Sequence, residues 1–170
     1  MALSAPHEHK EHAPRQASCV VITCSDTRTP QSDTSGYRIM VMLRDAGHSV
    51  ASYQIVKDEP SKIKAAIKKA VKNKKVQAII INGGTGISRR DSTFEAVDAM
   101  LEKRLDGFGE VFRFLTYQDI GSPAIMSRAT AGIIKGRVLF STPGSENAVR
   151  LAMEKLILPE IGHLVKELSK

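Results

Sequence analysis

The chain has 170 residues, of which 42% are hydrophobic and 25% charged, and its formal net charge is +7. These values are ordinary for a globular protein, and the length fits a single domain with a full hydrophobic core. No apolar stretch approaches the roughly 20 residues that span a bilayer, and the polar start of the chain lacks the apolar segment of a secretion signal. We therefore expect a cytoplasmic protein with no membrane partner.

The first 17 residues are polar and include His7, His9 and His12. This composition predicts a flexible, His-rich tail over residues 1–17, followed by a single domain over residues 18–170. A weak metal site formed by the three histidines is the alternative interpretation of this segment.

Apolar runs and amphipathic segments alternate along the rest of the chain. Apolar and β-branched runs predict strands at 19–24, 50–56, 76–81 and 137–141. Apolar residues at helical spacing predict helices at 35–46, 61–74, 93–105, 108–115, 123–132, 145–157 and 160–168. Strands separated by such helices form right-handed crossovers, so we expect an α/β fold: a three-layer α-β-α sandwich with a mostly parallel central sheet.

Three local details accompany these elements. Ser92 is the predicted N-cap of the 93–105 helix, with Glu95 completing a capping box, and Phe94 falls on the core face of that helix. The two cysteines, Cys19 and Cys24, lie five residues apart in one strand, so their side chains point to opposite faces of the sheet. We therefore expect two buried, reduced thiols and no disulfide between them.

Much of the positive charge lies between residues 62 and 75, which include seven lysines. Apolar residues at helical spacing in the same segment predict an amphipathic helix whose lysines face solvent. A nucleic-acid surface is the alternative, but no aromatic side chains interleave with the lysines as such a surface requires. We expect no nucleic-acid partner.

The unusual polar residues collect where predicted strands lead into helices, which is where parallel sheets bind ligands. Asp26 comes directly after the first strand, and Asp58 follows the second. Taken alone, Asp58 followed by Glu59 and a proline is more typical of an ordinary turn than of a functional site. Asp33, further along the first loop, is either a functional carboxylate or a helix cap.

The loop over 82–91 is rich in glycine. Gly83, Gly84 and Gly86, with Thr85 between them, allow the backbone to turn tightly and to direct N–H groups at an anion. The loop matches neither a G-x-G-x-x-G fingerprint nor a Walker A motif, which argues against a dinucleotide dehydrogenase or a P-loop kinase. Asp91, just before the next helix, suits a Mg²⁺ ion beside substrate phosphates.

A fourth loop contains Gly144 and Ser145, again between a strand and a helix. Ser145 is an N-cap by position, and a cap with free N–H groups also suits a phosphate. Carboxylates beside two phosphate-binding turns point to metal-assisted phosphoryl or nucleotidyl transfer, in which positioning and charge neutralisation provide most of the catalysis.

Five motifs in order resemble the MoaB/Mog family of molybdenum cofactor biosynthesis proteins, which are related to the gephyrin G domain. They lie at residues 21–27, 83–86 with Arg90 and Asp91, 107–110, 127–129 and 143–145, and the resemblance covers residues 18–168. It implies a molybdopterin-binding α/β domain and Mg²⁺-dependent transfer of AMP from ATP to the terminal phosphate of molybdopterin, with release of pyrophosphate. Asn82 and Phe94 depart from residues common in the family, Thr and Pro respectively.

The resemblance also implies roles for individual residues. Residues 83–86 look like the loop that holds the phosphate and the pterin, and Asp91 looks like the family's catalytic, metal-associated aspartate. Asp58 and Asp26 match acidic residues of the second and first loops, and Ser145 matches the serine of the Pro-Gly-Ser turn. Our hypothesis is that Asp26 and Asp91 share Mg²⁺ and that Asp58 accepts hydrogen bonds from the pterin edge.

Two further expectations concern activity and assembly. The alternative to an adenylyltransferase is a non-catalytic molybdopterin-binding paralogue that acts as a carrier or scaffold in the same pathway. The aromatic stretch over 107–117 fits either core packing or a subunit contact. The resemblance implies a homotrimer or a hexamer, and the protein that later inserts the metal is a candidate partner.

Overall fold

The computed structural model describes residues 16–170. One six-stranded sheet has the strand order β2-β1-β3-β6-β5-β4. The strands are β1 (Ser18–Cys24), β2 (Ser49–Val56), β3 (Ala78–Asn82), β4 (Lys103–Arg104), β5 (Thr130–Ile134) and β6 (Arg137–Thr142). Strands β2, β1, β3 and β6 are mutually parallel, whereas β5 runs antiparallel to β6 and to β4. The mostly parallel sheet and the three-layer α/β architecture are therefore confirmed.

Helices cover both faces of this sheet. They are α1 (Thr34–Asp45), α2 (Pro60–Lys72), α3 (Thr93–Asp98), α4 (Asp106–Ile120), α5 (Glu146–Ala152) and α6 (Leu158–Leu168). A 3₁₀ turn, Ser122–Met126, follows α4, and a π-helical turn, Met153–Ile157, joins α5 to α6. Among the described residues, no helix is long and apolar enough to cross a membrane.

The hydrophobic core is divided in two by the sheet. Helices α1, α4, α5 and α6 contribute buried side chains to one half, and α2 and α3 contribute to the other. Strand β1 supplies Cys19 to the first half and Cys24 to the second, as the alternation of side chains along a strand predicts. Both thiols are free and buried, and burial raises the pKa of each to about 12.

The predicted helix over 123–132 is wrong. Its first residues form the 3₁₀ turn, and β5 follows from Thr130. The β5–β6 hairpin turns at Lys135 and Gly136, whose φ angles of 48° and 70° are those of a type I′ turn. Gly132 lies where β5 pairs with β4. A side chain does not fit at this position, because a Cβ atom there would overlap the carbonyl oxygen of Lys103.

Two other boundaries differ from the prediction. The helix expected over 93–105 ends at Asp98, and β4 occupies residues that the helical spacing had included. The helices predicted at 145–157 and 160–168 are not separated by a break: the chain stays helical through the π turn, and Pro159 lies in the first turn of α6. The predicted tail, apart from residues 16 and 17, lies outside the described residues.

Candidate functional site

A cleft of about 400 Å³ opens at the carboxyl ends of β1, β3 and β6. Its walls come from the loop after β1, from residues 82–86, from the Pro143–Gly144 turn and from Met126 and Ser127. Three of the four loops predicted to carry chemistry therefore meet at one place. The fourth loop, after β2, places Asp58 against Gly84 and does not line the cleft.

The glycine loop is held so closely that side chains are excluded. Gly83 and Gly84 have φ angles of 92° and 61°, in the left-handed region that favours glycine. A Cβ atom at Gly83 would overlap the carbonyl oxygen of Cys24, and one at Gly84 would overlap the carboxylate of Asp58. Gly144 packs from the opposite side, where a Cβ atom would lie 2.9 Å from the Cα of Gly83.

Asp58 is buried beneath this loop rather than on the wall of the cleft. Its Oδ1 accepts hydrogen bonds from the backbone N–H of Ser92 at 3.1 Å, from the Ser92 hydroxyl at 2.9 Å and from the Thr93 hydroxyl at 3.3 Å. The predicted capping box of Ser92 and Glu95 is therefore wrong. A carboxylate from the neighbouring loop satisfies the start of α3, and Ser92 donates its hydroxyl instead of accepting with it.

Asp91 lies on the wall of the cleft. Its Oδ2 accepts the backbone N–H of Ser88 at 2.9 Å, which holds the carboxylate above the loop. Gly86 leaves room for it, because a Cβ atom there would lie 2.5 Å from Oδ2. Of the three predicted carboxylates, Asp91 is the one that faces the cleft.

Asp26 lies at the outer rim, where its Oδ2 accepts two hydrogen bonds from Arg90, from Nε at 3.0 Å and from Nη2 at 2.6 Å. Its Oδ1 accepts the backbone N–H of Asp58 at 3.3 Å. The hydrogen bond from Arg90 holds the pKa of Asp26 below its ordinary value. Asp26 therefore ties together the loops that follow β1, β2 and β3.

Asp33, which the sequence left open between a cap and a functional carboxylate, is the N-cap of α1. Its Oδ1 accepts the backbone N–H of Gly36 at 3.0 Å, and its Oδ2 accepts the hydroxyl of Tyr53 at 2.6 Å. Burial, followed by the adjacent Asp33 carboxylate, raises the pKa of Tyr53. Asp33 is buried and also borders the cleft.

Ser145 is the N-cap of α5, with its hydroxyl oxygen 3.3 Å from the backbone nitrogen of Ala148. Gly144 borders the cleft, and its carbonyl oxygen accepts the hydroxyl of Ser35 at 2.8 Å. Asn82 donates to the hydroxyl of Thr23 at 2.9 Å beneath the loop, so this departure keeps a hydrogen bond.

Arg128 is a site residue to which the sequence analysis gave no role, although it lies in one of the five motifs. Its Nη1 donates to the carbonyl oxygen of Gly86 at 3.1 Å, and its Nη2 donates to Glu95. Its guanidinium carbon lies 4.3 Å from the centroid of the Phe94 ring. Phe94 is thus half-buried beneath a cation rather than part of the core, which corrects the prediction for it.

Within residues 16–170, no group of three or more His, Cys, Asp or Glu side chains is arranged to hold a metal ion by itself. A magnesium ion at this cleft would take one or two carboxylates and complete its shell with water and substrate phosphates. Asp91 fits that description, whereas the Oδ2 of Asp26 is engaged by Arg90.

A family model described as "Probable molybdopterin binding domain" matches residues 20–163. The chain belongs to the MoaB/Mog family. It is 51% identical over 164 residues to molybdenum cofactor biosynthesis protein B of Bacillus subtilis, an alignment that covers 96% of each chain. It is 46% identical to the protein of the same name from Staphylococcus aureus (strain COL), over 92% of this chain and 94% of that one.

Solved structures of MoaB/Mog proteins share the fold. A crystal structure of molybdenum cofactor biosynthesis protein B superposes with a TM-score of 0.90 at 50% identity, covering 93% of this chain and 99% of that one. The tungsten cofactor synthesizing protein MoaB from Pyrococcus furiosus superposes with a TM-score of 0.84 at 37% identity, covering 93% and 100%. This MoaB/Mog protein therefore belongs to molybdenum cofactor biosynthesis.

Proposed function

We propose that the chain is a molybdopterin adenylyltransferase that uses Mg²⁺ and ATP. The observation that carries the proposal is the cleft in which the Asp91 carboxylate faces a loop of closely packed glycines. A loop whose backbone approaches the ligand closely and a carboxylate beside it are components that metal-assisted transfer between phosphates requires. Two free, buried cysteines are typical of a reducing compartment and support a cytoplasmic location.

In this reaction an oxygen of the terminal molybdopterin phosphate attacks the α-phosphorus of ATP. The bond between the α-phosphorus and the bridging oxygen breaks, and pyrophosphate leaves with the electron pair. Residues 83–86 and Gly144 would hold the two phosphates in line, which lowers the entropic cost of bringing them together. Ser145 would contribute through its position at the start of α5.

Mg²⁺, when bound, supplies charge neutralisation at the ATP phosphates, and Asp91 is the residue that we propose to hold it. A second carboxylate from Asp26, as the sequence predicted, requires Arg90 to release its Oδ2. Arg90 would then be free to bind a phosphate oxygen. Direct pterin binding by Asp58 stays a prediction, and its contacts with Ser92 and Thr93 favour an added role in fixing the glycine loop.

Pyrophosphate release from purified protein, molybdopterin, ATP and Mg²⁺ tests this proposal. We expect Asp91→Asn to lower turnover at least a hundredfold while pterin affinity changes little, because the variant removes metal charge neutralisation and keeps the shape. Asp45→Asn is the matched control, since Asp45 is an exposed carboxylate at the C-terminal end of α1, whereas the N-cap of that helix, Asp33, borders the cleft. Equal losses of turnover and pterin affinity in Asp91→Asn would contradict the assigned role.

A non-catalytic molybdopterin-binding protein is the second candidate. The observation that favours it is that Asp26 and Asp58 are both already engaged by protein donors. Tight pterin binding without pyrophosphate release, by wild-type protein supplied with Mg²⁺, would establish this alternative.

We also propose a homotrimer or a hexamer assembled through α4 and the 3₁₀ turn after it. Exposed apolar side chains occur together there, with exposed fractions of 60% for Phe114, 61% for Tyr117 and 86% for Ile125. Such a patch is typical of a subunit contact. Phe114→Glu should reduce the mass measured by light scattering to that of a smaller species, whereas Lys64→Glu on α2 should not change it.

A further inference from the structure

A pocket of about 180 Å³ lies at the amino ends of β3 and β6, at the opposite end of the sheet from the cleft. Its walls come from residues 74–77 before β3, from the start of β6 and from the C-terminal end of α6. The two strands have five and six residues, so the pocket and the cleft are roughly 15–20 Å apart at about 3.3 Å per residue. The pocket is therefore distinct from the candidate functional site.

Arg137 begins β6 and borders this pocket. Its Nη1 donates to the carbonyl oxygen of Lys135 at 2.7 Å, which holds the guanidinium in place. Its Nε is buried and has no hydrogen-bond partner within residues 16–170. Arg90 uses its own Nε and Nη2 to bind the Asp26 carboxylate. The corresponding edge of Arg137 is therefore a donor fork of the kind that binds oxyanions, and a buried donor gains most from an acceptor.

The residues that line the pocket include a second cation, Lys74, and no carboxylate. Two carboxylates lie on neighbouring elements and are already paired. Glu102 is paired with Lys135 at 3.0 Å. Glu167 is paired with Lys170 at 2.6 Å. Two positive charges in the pocket are thus left without a carboxylate partner in the part of the chain that the structure describes.

The C-terminal ends of α2 and α6 lie beside this pocket, and helix C-termini oppose an anion. Each end carries about half a negative charge, so together they amount to less than the two full positive charges of Lys74 and Arg137. Ser169 weakens the α6 end further, because its N–H and its hydroxyl donate to the carbonyl oxygen of Lys166, at 3.1 and 2.7 Å. The attraction of an anion by the two cations therefore prevails.

Helix α2 adds a longer-range field of the same sign. Residues 60–77 contain seven lysines and no aspartate or glutamate. None of these lysines forms an ion pair with another described residue. A surface with one sign of charge raises the local concentration of the opposite ion. The helix therefore concentrates anions beside the pocket to which it leads.

The size of the pocket limits the ligand. A volume of about 180 Å³ is below the roughly 300–1,000 Å³ of pockets for drug-sized ligands, but it is several times the roughly 30 Å³ of one water molecule. We infer that this pocket binds a doubly charged tetrahedral oxyanion such as inorganic phosphate, with two oxygens on Nε and Nη2 of Arg137 and a third toward Lys74. This inference does not depend on the proposed adenylyl transfer.

Titration of the protein with inorganic phosphate at constant ionic strength, followed by ¹⁵N NMR, tests the inference. The Nε–H signal of Arg137, assigned by its disappearance in Arg137→Lys, should shift together with the backbone N–H of Gly136. The affinity measured at Gly136 should fall about tenfold in both Arg137→Lys and Lys74→Gln. Lys72→Gln is the matched control, since Lys72 is exposed at the end of α2 and does not line the pocket, and it should change the affinity less than twofold.

The same spectra separate this pocket from the cleft, because the backbone signals of Gly83 and Gly84 report binding there. Shifts confined to those two glycines would overturn the inference and leave the proposed function unaffected. Equal affinities for phosphate and acetate would also overturn it, since the pocket would then bind a planar carboxylate. Phosphate binding at Gly136 by wild-type protein that releases no pyrophosphate would support the pocket and contradict the adenylyltransferase alone.

Discussion

Gly84 provides the most direct measurement of how closely the loop fits its surroundings. In Gly84→Ala the new methyl group stands on a backbone with φ of 61° and overlaps both the Asp58 carboxylate and the Thr93 hydroxyl. A left-handed conformation costs an alanine about 1–2 kcal/mol. Moving the carboxylate away from its three donors costs about 1–3 kcal/mol more, because a buried charge loses hydrogen bonds. The free energy of unfolding should therefore fall by about 2–5 kcal/mol.

Urea unfolding followed by far-ultraviolet circular dichroism suits this measurement, since the chain has no tryptophan. Gly107→Ala is the matched control: Gly107 lies in the first turn of α4 with nothing within 4 Å of its Cβ position, and alanine there should be neutral or slightly stabilising. In an Asp58→Ala background the Gly84→Ala change should cost at least about 1 kcal/mol less, because the carboxylate is gone. Equal costs in both backgrounds would refute the assigned contact.

Two further predictions concern groups near the loop and at the far end of the sheet. Arg128→Lys keeps the positive charge but loses the stacking on Phe94 and the two guanidinium hydrogen bonds that reach Gly86 and Glu95. The affinity for molybdopterin, measured by calorimetry, should therefore fall about tenfold. Arg44→Lys, at the exposed end of α1, is the control and should leave this affinity unchanged. The buried Nδ1 of His48 accepts the backbone N–H of Ala17 at 3.1 Å, and burial lowers the His48 pKa. The His48 side chain therefore binds a proton more tightly in the unfolded chain than in the folded one. The free energy of unfolding should keep its full value above about pH 6.5 and decline as the pH falls below it. When the urea midpoint of unfolding is plotted against pH, His48→Gln should remove this decline below about pH 6.5. An unchanged slope in the variant would show that another group causes the decline.

The parallel half of the fold could be predicted from sequence because each of its strands is an apolar run between amphipathic helices. The antiparallel half could not, since residues 130–134 also fit a helical spacing and β4 has only two residues. The sequence signal for the hairpin is weak, because Gly136 suits a positive φ but Lys135 is not one of the residues, Asn, Asp or Gly, that favour the first position of a type I′ turn.

The site divides in a similar way. Its loops follow from the rule that ligands bind at the carboxyl ends of strands, and the glycines announce a close backbone approach. The contacts of Asp58 with Ser92 and of Arg128 with Gly86 join residues 34 and 42 positions apart, so no local pattern contains them. The local sequence predicts a capping box between Ser92 and Glu95. In the structure, Ser92 bonds to Asp58 and Glu95 bonds to Arg128, both from other loops.

The division of the core by one strand has a practical consequence. Cys19 and Cys24 occupy opposite halves of the core, and burial raises the pKa of both thiols. Because Cys19 is 0% exposed and Cys24 is 2% exposed, labelling of either thiol by a thiol reagent requires local opening of the structure around it. When one cysteine is changed to alanine, the labelling rate of the other measures how often the structure opens in that half of the core. Strand β1 thus carries two independent reporters of local opening, one in each half of the core.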